Sequence, residues 1–160
     1  VVTTKKAHPT RGQIAMADRG ELAVDTVSQL LKRLNQALRV EYSLIIHYPY
    51  IVNLLRNEEV KKSATGLGAV SIHHADVVAT LISKLGGEPE WSFEPFPEGS
   101  DIVKIFRIQL SKERLALQLH KGSAEMSPTR SYSKILNALA EEEEQHIQVV
   151  ERILSILGKR

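Results

Sequence analysis

The chain has 160 residues, enough for one domain that buries a core without disulfide or metal staples. With 42% hydrophobic and 25% charged residues and a net charge of only +2, it offers no basic surface that would call for nucleic acid. The absence of cysteine excludes disulfides, thiolate zinc sites and iron–sulfur clusters. No apolar run approaches the ~20 residues of a membrane span. The N-terminal segment VVTTKKAHPTRGQIAMADRG lacks the apolar centre of a secretion signal. A cytoplasmic protein with neither nucleic-acid nor membrane partners is expected.

In chain order, residues 1–20 are polar and carry Pro9, Gly12 and Gly20, which predicts a loose N-terminal arm ahead of a single helical domain over 21–160. Four long helical patterns follow. The first spans Asp25 to Arg56, with Asp25 as N-cap and Pro49 placed to kink or break it. The second spans Glu58 to Leu85 and stops at Gly86-Gly87. The segment GGEPEWSFEPFPEGS holds three of the six prolines and is not helical. The third helix spans Asp101 to Met126, capped by Asp101 or Ser100, and after the turn SPTRS the fourth spans Tyr132 to Leu157.

The connections constrain the topology. Short turns make the first and last helix pairs antiparallel hairpins. Between the second and third helices, about fourteen non-helical residues reach roughly 46 Å when extended at ~3.3 Å each. The second helix is roughly 40 Å long at 1.5 Å per residue. The fold class is therefore all-α: a four-helix bundle with one long crossover between helices two and three, anchored by Trp91, Phe93 and Phe96.

Spacing by threes and fours defines an inward seam on each helix. The first runs Leu34, Leu38, Glu41, Ile45, Tyr48; the second Leu67, Ser71, His74, Val78; the third Phe106, Leu110, Glu113, Leu117, His120; the fourth Leu139, Glu143, His146, Val150. Each seam is apolar at its ends and polar near its middle, and the bundle topology brings the polar positions to one level. A buried ionised carboxylate is too costly to keep unless paired, protonated or metal-bound. No Lys or Arg occupies a seam to pair Glu41, Glu113 and Glu143. A divalent metal held by Glu41, His74, Glu113, Glu143 and His146 is the natural counter-charge, and mixed carboxylate and imidazole donors suit iron or manganese, with zinc also accommodated. Glu143-x-x-His146 places two ligands one turn apart on one face.

These motifs resemble the ferritin-like di-iron carboxylate proteins, the bacterioferritin and rubrerythrin types above all. LNQALRVEYSLIIHYPY is similar to the first helix of a bacterioferritin, with Glu41 as ligand; HHADVVATLISKLGGEP to the second, with His74; LSKERLALQ to the third, with Glu113; LAEEEEQHIQVVERIL to the fourth, with Glu143 and His146. The resemblance covers about residues 26–158. It implies a ferritin-like bundle that oxidises and stores iron or removes peroxide, with O2 or peroxide as co-substrate and a homo-oligomer, dimer or larger, as the assembled form.

Two departures qualify what the resemblance implies. The family carries a glutamate on the second helix where this chain has Ser71. Three carboxylates against two divalent ions leave one surplus positive charge, so one ion, or two with an added anion, are both open. The family's haem ligand is a methionine where Ile72 stands, so no such haem is expected. His120 reads as a core histidine or a second site about two turns, ~10 Å, from Glu113. Tyr48 reads as packing or as a donor to a ligand, His47 is undecided, and Glu141, Glu142 and Glu144 read as a solvated face. The competing function is a redox-inactive bundle with a single structural metal, serving as an interaction or structural protein; a third is an oxygenase using room near Ala64, Gly66 and Gly68.

Overall fold

A computed structural model describes residues 11–158, with side chains described from residue 23 onward. Four helices, α1 (Arg11–Leu54), α2 (Glu58–Lys84), α3 (Ile102–Met126) and α4 (Arg130–Leu157), form one bundle, with no strand among the described residues. Their starts follow local chemistry. The side chain of Asn57 accepts from the Val60 N–H, Asp101 from Lys104 and Thr129 from Tyr132, each satisfying an otherwise orphaned donor at a helix N-terminus. Gly86 leaves α2 at φ 81°, the left-handed conformation that glycine adopts without steric cost.

The first helix departs from expectation at its start. It begins at Arg11, so Asp25 lies inside it and is not its cap; Gly12 and Gly20 weaken the helix but do not end it. Of the expected arm, residues 1–10 lie outside the described residues. Pro49 does not break the helix, which continues to Leu54. Proline removes one backbone hydrogen bond close to the C-terminus. Burial of Tyr48, Ile51 and Leu55 on either side holds the turn in place.

The segment between α2 and α3 is pinned along α1. Asn35 clamps it near its start, donating to the Glu88 carbonyl at 3.3 Å and accepting from the Glu90 N–H at 2.9 Å. Further along, the Glu94 N–H donates to Ser43 Oγ at 2.9 Å, and His47 Nε2 donates to the Glu94 carbonyl at 2.8 Å. The Glu94 side chain pairs with Lys112 of α3. Trp91 and Phe93 meet Tyr42 edge-on, and Phe96 packs on His47 and Tyr50. Ser43 and His47 are thus buried beneath this segment, on a second face of α1 that the inward seam does not include.

By length and composition α2 would pass for a membrane span. Its apolar residues Val60, Leu67, Val78, Leu81 and Ile82 are instead buried within the bundle. Close packing against α1 is set by Gly68, where an added Cβ would lie 2.9 Å from Tyr48 Cβ, an atom fixed to the backbone. At Gly66 an added Cβ would meet nothing within 4 Å. Gly68→Ala should therefore lower stability by about 1–3 kcal/mol through overpacking. Gly66→Ala should raise it by about 0.4–1 kcal/mol through helix propensity and reduced unfolded-state freedom. Urea denaturation of both variants checks the pair, and equal effects would contradict the packing described.

Candidate metal centre

The four seams converge at mid-bundle. Glu41 comes from α1, Ser71 and His74 from α2, Glu113 and His120 from α3, Glu143 and His146 from α4. All are fully buried except His146, which is 7% exposed. Donor atoms of Glu41, His74, His120 and Glu143 lie within 4.8 Å of one another, and so do those of Glu113, Glu143 and His146. Glu143 belongs to both groups. The structure thus brings all five expected residues together and arranges them as two adjoining clusters joined by one carboxylate.

Helix periodicity explains the reach. His74 Nδ1 lies 2.7 Å from Glu143 Oε1 and 3.5 Å from Glu41 Oε1. His120 Nε2 lies 3.1 Å from Glu41 Oε1 and 3.7 Å from Glu143 Oε1. His146 Nδ1 lies 3.4 Å from Glu113 Oε2 and 3.3 Å from Glu143 Oε2, one turn back on its own helix. The Tyr48 hydroxyl donates to Glu113 Oε1 at 2.6 Å.

Two partners exceed what the seams suggest. His120 sits inside the first cluster, because α3 and α1 cross with Glu41 beside the turn after Glu113; the distance along α3 alone placed it too far from the centre. Glu142, read as part of a solvated face, turns its carboxylate to His74 Nε2 at 3.0 Å while remaining 42% exposed. That contact fixes the ring with Nδ1 toward the cluster, the orientation an outer carboxylate imposes on a metal-bound histidine. Its sequence signal is adjacency to Glu143, on the flank of the seam facing α2.

Burial and charge shape the protonation states. Burial opposes protonation of His74, but the Glu143 and Glu41 carboxylates outweigh it and push the ring up to about 11. Burial likewise opposes protonation of His146, which Glu113 and Glu143 push up to about 9. His120 rises against burial for the same reason, through Glu143 and Glu41. Burial raises Glu113 to about 7, with repulsion from Glu143 adding to it and His146 and Tyr48 opposing it. Glu143 moves the other way: burial would raise it, but His120, His146 and His74 together hold it far below the ordinary carboxylate range. Burial, then the Glu113 charge, raises Tyr48 well above its ordinary value. The donor set therefore holds protons that a divalent cation would displace.

The residues fit a metal. Glu41 Oε2, Glu113 Oε2, Glu143 Oε2 and His146 Nδ1 are buried without a hydrogen-bond partner, as is Ser71 Oγ. Buried polar atoms are almost always satisfied. Such orphans concentrated in one mixed oxygen and nitrogen cluster are what a cation would satisfy.

No protein-family model and no curated protein sequence matches the chain. Solved structures do. A ferritin-like, diiron-carboxylate protein from Bacillus anthracis superposes with TM-score 0.73 at 21% identity, covering 81% of this chain and 97% of its own. A dodecameric thioferritin, the bacterioferritin-related protein of Bacteroides fragilis, gives 0.71 at 23% identity over 83% and 88%. The Desulfovibrio desulfuricans bacterioferritin, described with a diiron site in different catalytic states, gives 0.74 at 20% identity over 86% and 84%. The fold is the ferritin-like four-helix bundle.

Tyr48→Phe removes the donor to Glu113 and leaves Glu113 Oε1 unpaired in the core. The metal-free protein should lose about 1–3 kcal/mol of stability. Chemical denaturation in the presence of chelator reads the loss, and an unchanged midpoint would show that the hydroxyl carries none of it.

Proposed function

We propose that this chain is a non-haem iron protein that binds ferrous iron at mid-bundle and passes its electron to O2 or peroxide. The single observation that carries this is the pair of buried clusters sharing Glu143, with orphaned carboxylate and imidazole atoms turned inward. Glu41, His74, His120 and Glu143 would hold one ion, and Glu113, Glu143 and His146 a second, with manganese or zinc as competitors for the same donors. Bound iron supplies one-electron redox chemistry; the chain supplies position and charge. Glu142 orients His74, Tyr48 holds Glu113, and burial excludes bulk water. No methionine stands at the position of Ile72, and the proposed centre is haem-free.

The second reading, a redox-inactive bundle with one structural metal, draws support from Ser71, which offers a hydroxyl where a further carboxylate would balance a second ion. Stoichiometry separates the two. Anaerobic titration with ferrous iron should give one tight and one weaker equivalent per chain. Glu143→Ala should abolish both, and His120→Ala should weaken the tight one more than about tenfold, since even outer-shell partners are worth 10–100-fold. O2 consumption on mixing with ferrous iron should fall in both variants. A single equivalent with no O2 consumption would favour the structural reading and sink the first.

We also propose self-association through the α1/α2 side. Among the described residues, Val24, Tyr50, Leu54, Ile72, Trp91 and Phe93 are exposed apolar side chains on α1, α2 and the connecting segment, whereas α3 and α4 expose only Leu115 and Ile135. Apolar exposure concentrated on one side marks an interaction surface. Pairing of like surfaces by a two-fold axis is the commonest way to cover one. Sedimentation at micromolar concentration should show a dimer or larger, and Ile72→Glu should shift it toward monomer. A monomeric wild type would remove this proposal and any storage role with it.

A further inference from the structure

The two halves of the bundle are related position by position. Glu41 on α1 corresponds to Glu113 on α3, and seven residues beyond each stand Tyr48 and His120. Each of these reaches across to the other half's glutamate: Tyr48 to Glu113 at 2.6 Å, His120 to Glu41 at 3.1 Å. On the remaining pair, Glu142-Glu143-x-x-His146 of α4 corresponds to Val70-Ser71-x-x-His74 of α2. The α4 half has both its carboxylates in use, Glu143 in the centre and Glu142 orienting His74. The α2 half has neither. Ser71 is fully buried with its hydroxyl unpartnered, and Val70 stands where the match to Glu142 would orient His146.

Val70, one part of that deficit, also lines a groove. A cavity of about 420 Å³ lies between α2 and α4 and reaches His146, the one residue of the centre with any exposure. Leu67, Val70 and Val149 give it apolar walls and Gly66 leaves it wide, while Lys62 stands on its rim without an ion pair among the described residues. Two divalent ions bound at the centre would face three carboxylates, a surplus of positive charge that a low-dielectric interior disfavours.

We propose that the α2–α4 groove binds a short aliphatic monocarboxylate, whose carboxyl group meets His146 and whose alkyl tail lies along Leu67, Val70 and Val149. The ligand supplies the missing negative charge and is drawn to the rim by Lys62. This rests on the two-ion reading above, but not on any redox step.

The test uses the full chain loaded with Co(II), whose visible absorption reports its coordination. Cobalt equivalents are counted first, and acetate and butyrate are then titrated at constant ionic strength with chloride as control. The expected result is a saturable spectral change at one carboxylate per chain. It should be accompanied by a rise in Tm of at least about 2 °C in the loaded protein and none in the metal-free protein. Butyrate should bind roughly tenfold tighter than acetate, from two further buried CH2 groups. Ser71→Glu, which restores the fourth carboxylate and so removes the charge deficit, should show no response to either anion. Gly66→Leu, which fills the groove from an open helix face away from the centre, should raise the butyrate half-saturation more than about tenfold. Two cobalt ions bound with no carboxylate response would overturn this inference while leaving the metal reading intact. Equal affinity for acetate and butyrate, or an undiminished response in Ser71→Glu, would overturn it as well. Fewer than two cobalt ions would overturn both readings together.

Discussion

Three carboxylates are buried at one level of this bundle, and the rest of the structure answers to that fact. An ionised carboxylate in a protein interior is tolerated only where counter-charge and hydrogen-bond donors meet it. Glu143 has the counter-charge, with His74, His120 and His146 all within ion-pairing distance, while its Oε2 still lacks a hydrogen-bond donor. Each of those rings comes from a helix whose ends are held by apolar packing: Val78 and Leu81 around His74, Phe106 and Ala116 along α3, Leu139 and Val150 on either side of the α4 pair. The apolar layers fix the helix register, and the register fixes which atoms face one another at the centre.

The half-to-half correspondence clarifies what each exception does. Where the two halves agree, at Glu41 with Glu113, the centre has a carboxylate on each side. Tyr48 and His120 make the same cross-bundle reach with different chemistry: a phenol that donates a hydrogen bond, and an imidazole that joins the cluster. Where α2 falls short of α4, the loss is of charge and of volume together. Ser71 and Val70 are smaller than the glutamates they correspond to: the first leaves the centre a carboxylate short, and the second lines the α2–α4 groove. The first cluster, with four donor residues and no exposed member, is the closed side of the centre; the second, with three and a partly exposed His146, is the open one.

Much of this was legible in the sequence because it depends on spacing along single helices. The boundaries of α2, α3 and α4 follow from Asn57, Gly86, Asp101 and the SPTRS turn, and the five polar seam positions follow from the 3–4 repeat. What depended on how one helix crosses another was not. His120 looked too remote from Glu113 because the distance was measured along α3, whereas its partner is Glu41 on α1. Glu142 looked solvated because it flanks its own seam, whereas the turn of α2 that carries His74 lies beside it. His47 and Ser43 are off the inward seam yet buried, because the connecting segment creates a second interface on α1 that no periodicity within α1 encodes. The start of α1 was misplaced for a local reason: two glycines and a polar composition read as a break, while a helix extends through both.

The centre's internal pairing also bears on what kind of metal site it is. In a small metal-nucleated domain the ligands cannot be packed together without the ion, so metal binding and folding are one event. Here every cluster carboxylate has an imidazole within 4.0 Å, and apolar layers close the bundle above and below. The bundle is thus packed and its charges are matched, though several donor atoms lack hydrogen-bond partners, and an ion entering it would exchange with protons instead of supplying the free energy of folding. Such a site would hold an ion less tightly than its donor count suggests, because each imidazole would first give up a partner. That loss is greatest on the closed side, where Glu41, His74, His120 and Glu143 pair most closely, and least at His146, whose contacts of 3.3 and 3.4 Å lack hydrogen-bond geometry. The open side thus opposes the loosest pairing to an arriving ion and lies next to the groove.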